Sequence, residues 1–238
     1  VSTTSQPASS SPANAACCEG RKVRTVAEFT AMPAHEFIAQ YRRGLERIDR
    51  RIFWLAPEQI DQAFLPEAGV GQWPIRVLLG HVADAELVFL HRMRRAVGED
   101  NPVVALWDEN AFVDSNIYGS APGSSRAADG NTSHPLAGHI ALIHILRQWG
   151  SDWLLTLAPE QWERRIMHPE RGPMTVRQIG AYAAWHVEHH AEFLRKKLDR
   201  LGVEVPIAQG APAKAGSCGS GCGCSTPAAG GEAAPANR

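Results

Sequence analysis

No cysteine occurs between Glu19 and Ser217. Cys17 and Cys18 lie near one end of the chain, and Cys218, Cys222 and Cys224 near the other. A secreted disulfide framework would staple the core, so the expectation is a cytoplasmic protein with thiol-bearing tails. Charge of one sign is missing as well. Twenty-four Lys and Arg stand against 25 Asp and Glu, a formal net charge of −1. Without a basic excess no nucleic-acid partner is expected, and without an acidic run no solvating acidic tail. The longest largely apolar stretches, around 75–79 (interrupted by Arg76) and 140–146 (interrupted by His144), fall far below the ~20 residues of a membrane span, so no membrane partner is expected either. Large apolar residues are scarce at both ends, where Ala, Gly, Ser and Pro dominate. Such segments bury too little to offset the entropy of ordering. Residues 1–22 and 207–238 are therefore read as disordered tails, and 23–206 as one folded domain large enough for a single core.

Histidine and tryptophan, in contrast, are plentiful: ten His and seven Trp. Most of them fall in or beside four segments with helical periodicity. The first is expected over 34–55, where Phe37, Tyr41, Leu45, Ile48 and Ile52 recur at three- and four-residue steps. The second starts at Trp73-Pro74 and runs through His81 to about Val97. A third opens near Ser133-His134-Pro135 and continues to about Leu157. The fourth begins with a capping-box pattern, Thr175 to Gln178, and stops at Gly202, a residue suited to the position after a helix. Residues 164–172 read as extended and turn-like. The fold class is therefore all-α, a helix bundle. About 35 residues, 99–133, join the second and third helices, and 107–118 has the pattern of a short helix. So long a crossover permits successive helices to run parallel.

On a helix each residue advances 100°, so His186 and His190 share a face and can converge on one ion. Both fall within the apolar stripe of the fourth helix, where an unpaired polar group is costly. The plainer reading is a pair of histidines hydrogen-bonded to partners or solvent. His81 lies on the apolar face of the second helix. Asp84, three residues on, is placed to orient that imidazole or to add a ligand. Three neutral imidazoles would hold one divalent metal ion, Zn²⁺, Ni²⁺ or Fe²⁺, with positions left for water or substrate. Glu188 faces away, so the pattern is not the His-Glu-x-x-His of zinc proteases.

Three motifs taken together resemble a known family. They are Trp73-Pro74-Ile75-Arg76-Val77-Leu78-Leu79-Gly80-His81-Val82-Ala83-Asp84, then His168-Pro169-Glu170-Arg171-Gly172, then Ala184-Trp185-His186-Val187-Glu188-His189-His190. In this order they resemble the DinB-like superfamily, nearest the branch of bacillithiol S-transferases and metal-dependent hydrolases. The resemblance spans about 30–201, and segment 99–133 carries none of its motifs. It implies a four-helix bundle with a metal site on His81, His186 and His190. It also implies a small-molecule substrate and, in the transferase members, a low-molecular-weight thiol; a homodimer is the assembly expected of the chain. The function expected is a metal-dependent enzyme acting by thiol transfer or hydrolysis. The alternative is a non-catalytic metal-binding or stress-response module.

Other candidates read more plainly. His168 is expected to be a surface turn residue. His139 and His144 do not share a face, and His91 lies off the face of His81. Asp108, Glu109, Asn110 and Tyr118 are placed equally well for substrate contact and for a solvated loop. Trp149, Trp153 and Trp162 read as packing. Cys218, Cys222 and Cys224, spaced by glycines, form a candidate second site for a soft metal or a redox pair, against an idle reduced tail.

Overall fold

The computed structural model describes residues 22–119 and 136–205. Helix α1 (Val26–Ala31) opens with a reciprocal cap. Thr25 Oγ1 accepts the Glu28 N–H at 3.1 Å, and the Glu28 carboxylate accepts the Thr25 N–H at 2.6 Å. Helix α2 (Ala34–Arg42) buries Phe37, Ile38 and Tyr41. The single helix expected over 34–55 is not formed. After α2 the chain tightens into two 3₁₀ turns, Arg43–Arg47 and Arg50–Trp54. Ile48 and Asp49 between them are extended, and the Asp49 carboxylate accepts the Arg51 N–H at 2.9 Å, starting the next turn afresh. At Gly44 the guanidinium of Arg147 occupies the place a Cβ would take. Ile48 and Ile52 still reach the core. Two short turns with an extended link between them bring the same apolar residues to the core as one helix would, which is why the spacing misled.

A short helix, α3 (Pro57–Ile60), precedes α4 (Ile75–Gly98), which takes Pro74 as its N-cap. Helix α5 (Glu109–Asp114) lies within the expected stretch. It is capped by Asp108, whose carboxylate accepts the Asn110 and Ala111 N–H groups at 3.1 and 3.0 Å. Helix α6 (Leu136–Leu154) ends three residues before the expected limit, and its expected start at 133–135 lies outside the described residues. The extended stretch is a hairpin of β1 (Arg165–His168) and β2 (Gly172–Thr175), with Arg165 opposite Thr175. Val103 forms a parallel bridge to Met167, which pins the start of the crossover to this hairpin. Helix α7 (Val176–Arg200) begins with the expected Thr175/Gln178 box and ends at Gly202, φ +63°, where the Val203 N–H reaches the Leu198 carbonyl at 3.1 Å.

The first helical stretch, α4, α6 and α7 form a four-helix bundle. Helices α4 and α6 run parallel: Glu86 meets Arg147, Leu90 meets Gly150, and Arg94 lies over Trp149 and Trp153. Helix α7 runs antiparallel to α4, with His81 against His190 and Phe89 against Tyr182. At the centre Arg147 is wholly buried. It donates to Glu86 at 2.6 Å, to the Tyr41 carbonyl at 2.7 Å and to the Ala183 carbonyl at 2.9 Å. One guanidinium thus ties together the four parts of the bundle, and those hydrogen bonds offset the desolvation of a buried charge. No helix among the described residues is long and apolar enough to cross a membrane.

Candidate metal centre

Helix α4 carries His81, and α7 carries His186 and His190. Their antiparallel packing brings the three rings together at one level of the bundle. His186 Nε2 lies 3.0 Å from His81 Nε2 and 3.1 Å from His190 Nε2. His81 and His186 are buried, and His190 is half-buried. Burial pushes the His81 imidazole down to about 4. Burial and the neighbouring His81 and His189 push His190 down to about 3. His186 is also driven well below the ordinary imidazole value, first by burial and then by His190 and His81. All three rings are therefore neutral at pH 7, with one N–H each.

Three Nε2 atoms facing one another cannot all find complementary partners. If the protons sit on Nδ1, three lone pairs converge. If one sits on Nε2 of His186, it must serve two acceptors at once. A shared cation satisfies all three. Ligand nitrogens held about 2.0–2.1 Å from one ion stand roughly 3.0–3.4 Å apart; the two spacings about His186 match this, and all three ligand nitrogens lie within 4.8 Å of one another. The Nδ1 atoms of the three rings are buried without a hydrogen-bond partner among the described residues.

Aromatic rings wall the cluster. Trp107 stacks on His81 at 5.3 Å between centroids and 15° between planes, and Trp73 packs on the same ring at 5.0 Å. Phe89 meets His186 edge-on at 5.5 Å. The sequence placed Trp73 and Trp107 at helix starts and gave no signal that they would cover a metal ligand. Asp84 does not hydrogen-bond to His81. Its carboxylate accepts the Tyr118 hydroxyl at 2.8 Å, so it holds the crossover rather than the imidazole.

Glu188 faces away from the cluster, as expected, and pairs with Arg24 and Arg47. His189 stacks on Trp185 at 4.8 Å and does not join the three. His144 and His91 are exposed, and His139 meets the Tyr118 ring edge-on. Trp162 packs in the core against Phe37, and Trp149 and Trp153 hold Arg94. Cys218, Cys222 and Cys224 lie outside the described residues.

His168 corrects an expectation. It is buried, not a surface turn residue, and its Nδ1 accepts the Glu170 and Arg171 N–H groups at 3.3 and 3.4 Å. The hairpin explains this: alternate residues of β1 face inward, so His168 follows Ile166 into the molecule. It lines a cavity of about 410 Å³ together with His186, Phe89, Trp107, Asp108 and Tyr182. Glu109 and Asn110 line this cavity too, whereas Tyr118 does not. A larger groove, about 1710 Å³, runs past Arg47 and Glu188 and contains none of the three histidines.

Residues 25–194 match the DinB superfamily. The chain is 27% identical over 164 residues to an Oceanobacillus iheyensis protein named "Putative metal-dependent hydrolase", a match covering 68% of this chain and 84% of that one. A second protein of the same organism and name is 22% identical over 174 residues, covering 73% and 90%. The solved structure of YfiT from Bacillus subtilis is described as a probable metal-dependent hydrolase with an unusual four-helix bundle topology. It superposes with a TM-score of 0.59 at 20% identity, covering 72% of this chain and 89% of YfiT.

Proposed function

The chain belongs to the DinB superfamily, and from that premise we propose that it is a metal-dependent enzyme whose one divalent ion is held by His81, His186 and His190. The observation that carries the proposal is the convergence of three neutral imidazoles, two buried and one half-buried, with Nε2 spacings of 3.0 and 3.1 Å about His186. A bound Zn²⁺, Ni²⁺ or Fe²⁺ supplies a Lewis acid that lowers the pKa of a water or thiol beside it. The chain's own part is to keep the imidazoles unprotonated by burial and to fix them on two rigid helices. Trp73, Trp107 and Phe89 keep bulk water from the rings, which strengthens electrostatic interactions there. The cavity at His186 has the size of a small-molecule site.

Two reactions suit such a site. The relatives named as hydrolases support attack by water on a carbonyl or related centre. The likeness of the three motifs to the bacillithiol S-transferase branch supports attack by a low-molecular-weight thiol on an electrophile. The working unit is the domain 23–206, in the cytoplasm. Untagged full-length protein loaded with each metal is to be assayed against an ester panel and against thiols paired with electrophiles. Turnover in one panel, lost in His186→Ala, is the expected result. Stoichiometric metal without turnover in either panel would contradict the enzyme and leave the metal-binding module.

A further inference from the structure

Beyond the aromatic walls, the cavity at His186 contains two guanidinium groups, those of Arg92 and Arg171. Neither forms an ion pair with a carboxylate among the described residues. Arg92 donates to the Ala105 carbonyl at 3.0 Å. Arg171 lies over the Tyr182 ring at 4.7 Å and reaches its hydroxyl at 3.4 Å. Burial and the charge of Arg171 together push Arg92 below its ordinary value, so the two cations feel each other. An anion shared between them would relieve that repulsion, and the guanidinium fork is suited to hold one.

The third polar group on this side is His168. Burial, Arg92 and Arg171 hold its imidazole below the ordinary value. Because Nδ1 already accepts two backbone N–H groups, the proton of the neutral ring sits on Nε2, a further donor. Of the carboxylates in the cavity wall, Asp108 is engaged in capping α5, while Glu109 and Glu170 are exposed. The donors therefore lie close to one another, Arg171 over Tyr182, whose ring packs beside that of the metal ligand His186. The span between them follows from α7. Tyr182, which carries Arg171, precedes His186 by one turn, about 6 Å.

We infer that this cavity binds a small carboxylate, its oxygens held by Arg92 and Arg171, its apolar body against Phe89, Trp107 and Tyr182, and its reacting group directed to the ion at His186. The metal end rests on the function proposed above; the carboxylate end stands on its own geometry. The planar fork of a guanidinium matches a carboxylate and has no such match in an uncharged group. The cavity, about 410 Å³, leaves room for a body of one aromatic ring beside the anion.

Benzoate and its uncharged analogue benzamide are suitable probes. Each is titrated by ligand-observed NMR into the full chain, both stripped of metal and loaded with zinc. Benzoate should saturate the metal-free protein and bind about tenfold or more tighter than benzamide. Arg171→Gln and Arg92→Gln should each weaken benzoate about tenfold while zinc stoichiometry is kept. Thermal melts check folding, and exposed Arg171 gives the deciding variant should Arg92→Gln unfold. The inference is overturned by equal binding of the two probes, by absence of saturable benzoate binding up to about 50 mM, by binding that survives both substitutions, or by binding that needs zinc. A protein that takes no zinc but still prefers benzoate would sink the metal reading and keep this one.

Discussion

The ring of Tyr118 rests where the side chain of Gly80 would be, one residue before His81 in the chain. A Cβ at position 80 would lie 2.7 Å from Tyr118 Cε1. With its hydroxyl bound to Asp84, Tyr118 fastens the crossover to α4 at the level of the metal centre. Trp107, earlier in the same crossover, then lies flat on His81.

Gly80→Ala should therefore cost about 1–3 kcal/mol, because the ring must move away from the helix. The same change should weaken metal binding, since the crossover carries the ring that covers His81. Tyr118→Phe keeps the packing and loses only the bond to Asp84, for about 1 kcal/mol. Chemical denaturation with zinc titration of both variants measures these effects. An unaltered midpoint in Gly80→Ala would show that the crossover is not docked there.

The buried Arg147–Glu86 pair calls for a double-mutant cycle. Both side chains are fully buried, and Tyr41 donates to the same carboxylate at 3.3 Å. Glu86→Leu alone strands a buried guanidinium and should cost about 3–5 kcal/mol. Adding Arg147→Met should recover part of that loss, because neither charge is then buried alone. Strict additivity of the two single losses would refute the coupling.

Lys197 supplies a pH dependence. It is almost wholly buried, donates to the Gly71 carbonyl at 2.7 Å and lies over the Phe64 ring at 4.2 Å. Burial pushes its ammonium down to about 8. In the unfolded chain it titrates near 10.4, so between about pH 8 and 10 the unfolded chain binds more protons. This group's contribution to stability therefore improves as pH rises through that window. Comparing urea midpoints of wild type and Lys197→Met at pH values across it isolates the effect. The difference should shift in favour of the wild type as pH increases, and a constant difference would contradict it.

Much of the site was legible because helices translate spacing into direction. His186 and His190 share a face of any α-helix, whatever packs on it. The Thr175 box and Gly202 mark the ends of α7 by local hydrogen bonding alone. The break after α2 was not legible, since it depends on Arg147, a residue distant in sequence, filling the space above Gly44. His168 was misjudged for want of a long enough strand: β1 has four residues, too few for its alternation to stand out beside Pro169. The role of Trp107 arises only from how the crossover lies on α4, and that of Trp73 from how the chain enters that helix.

Metal content of untagged protein, measured by mass spectrometry of metals against protein concentration, tests the central claim most directly. Wild type and His189→Ala should each carry one divalent ion per chain, and His81→Ala, His186→Ala and His190→Ala should carry almost none while remaining helical. Full metal in His186→Ala, or loss of metal in His189→Ala alone, would contradict the three-histidine site.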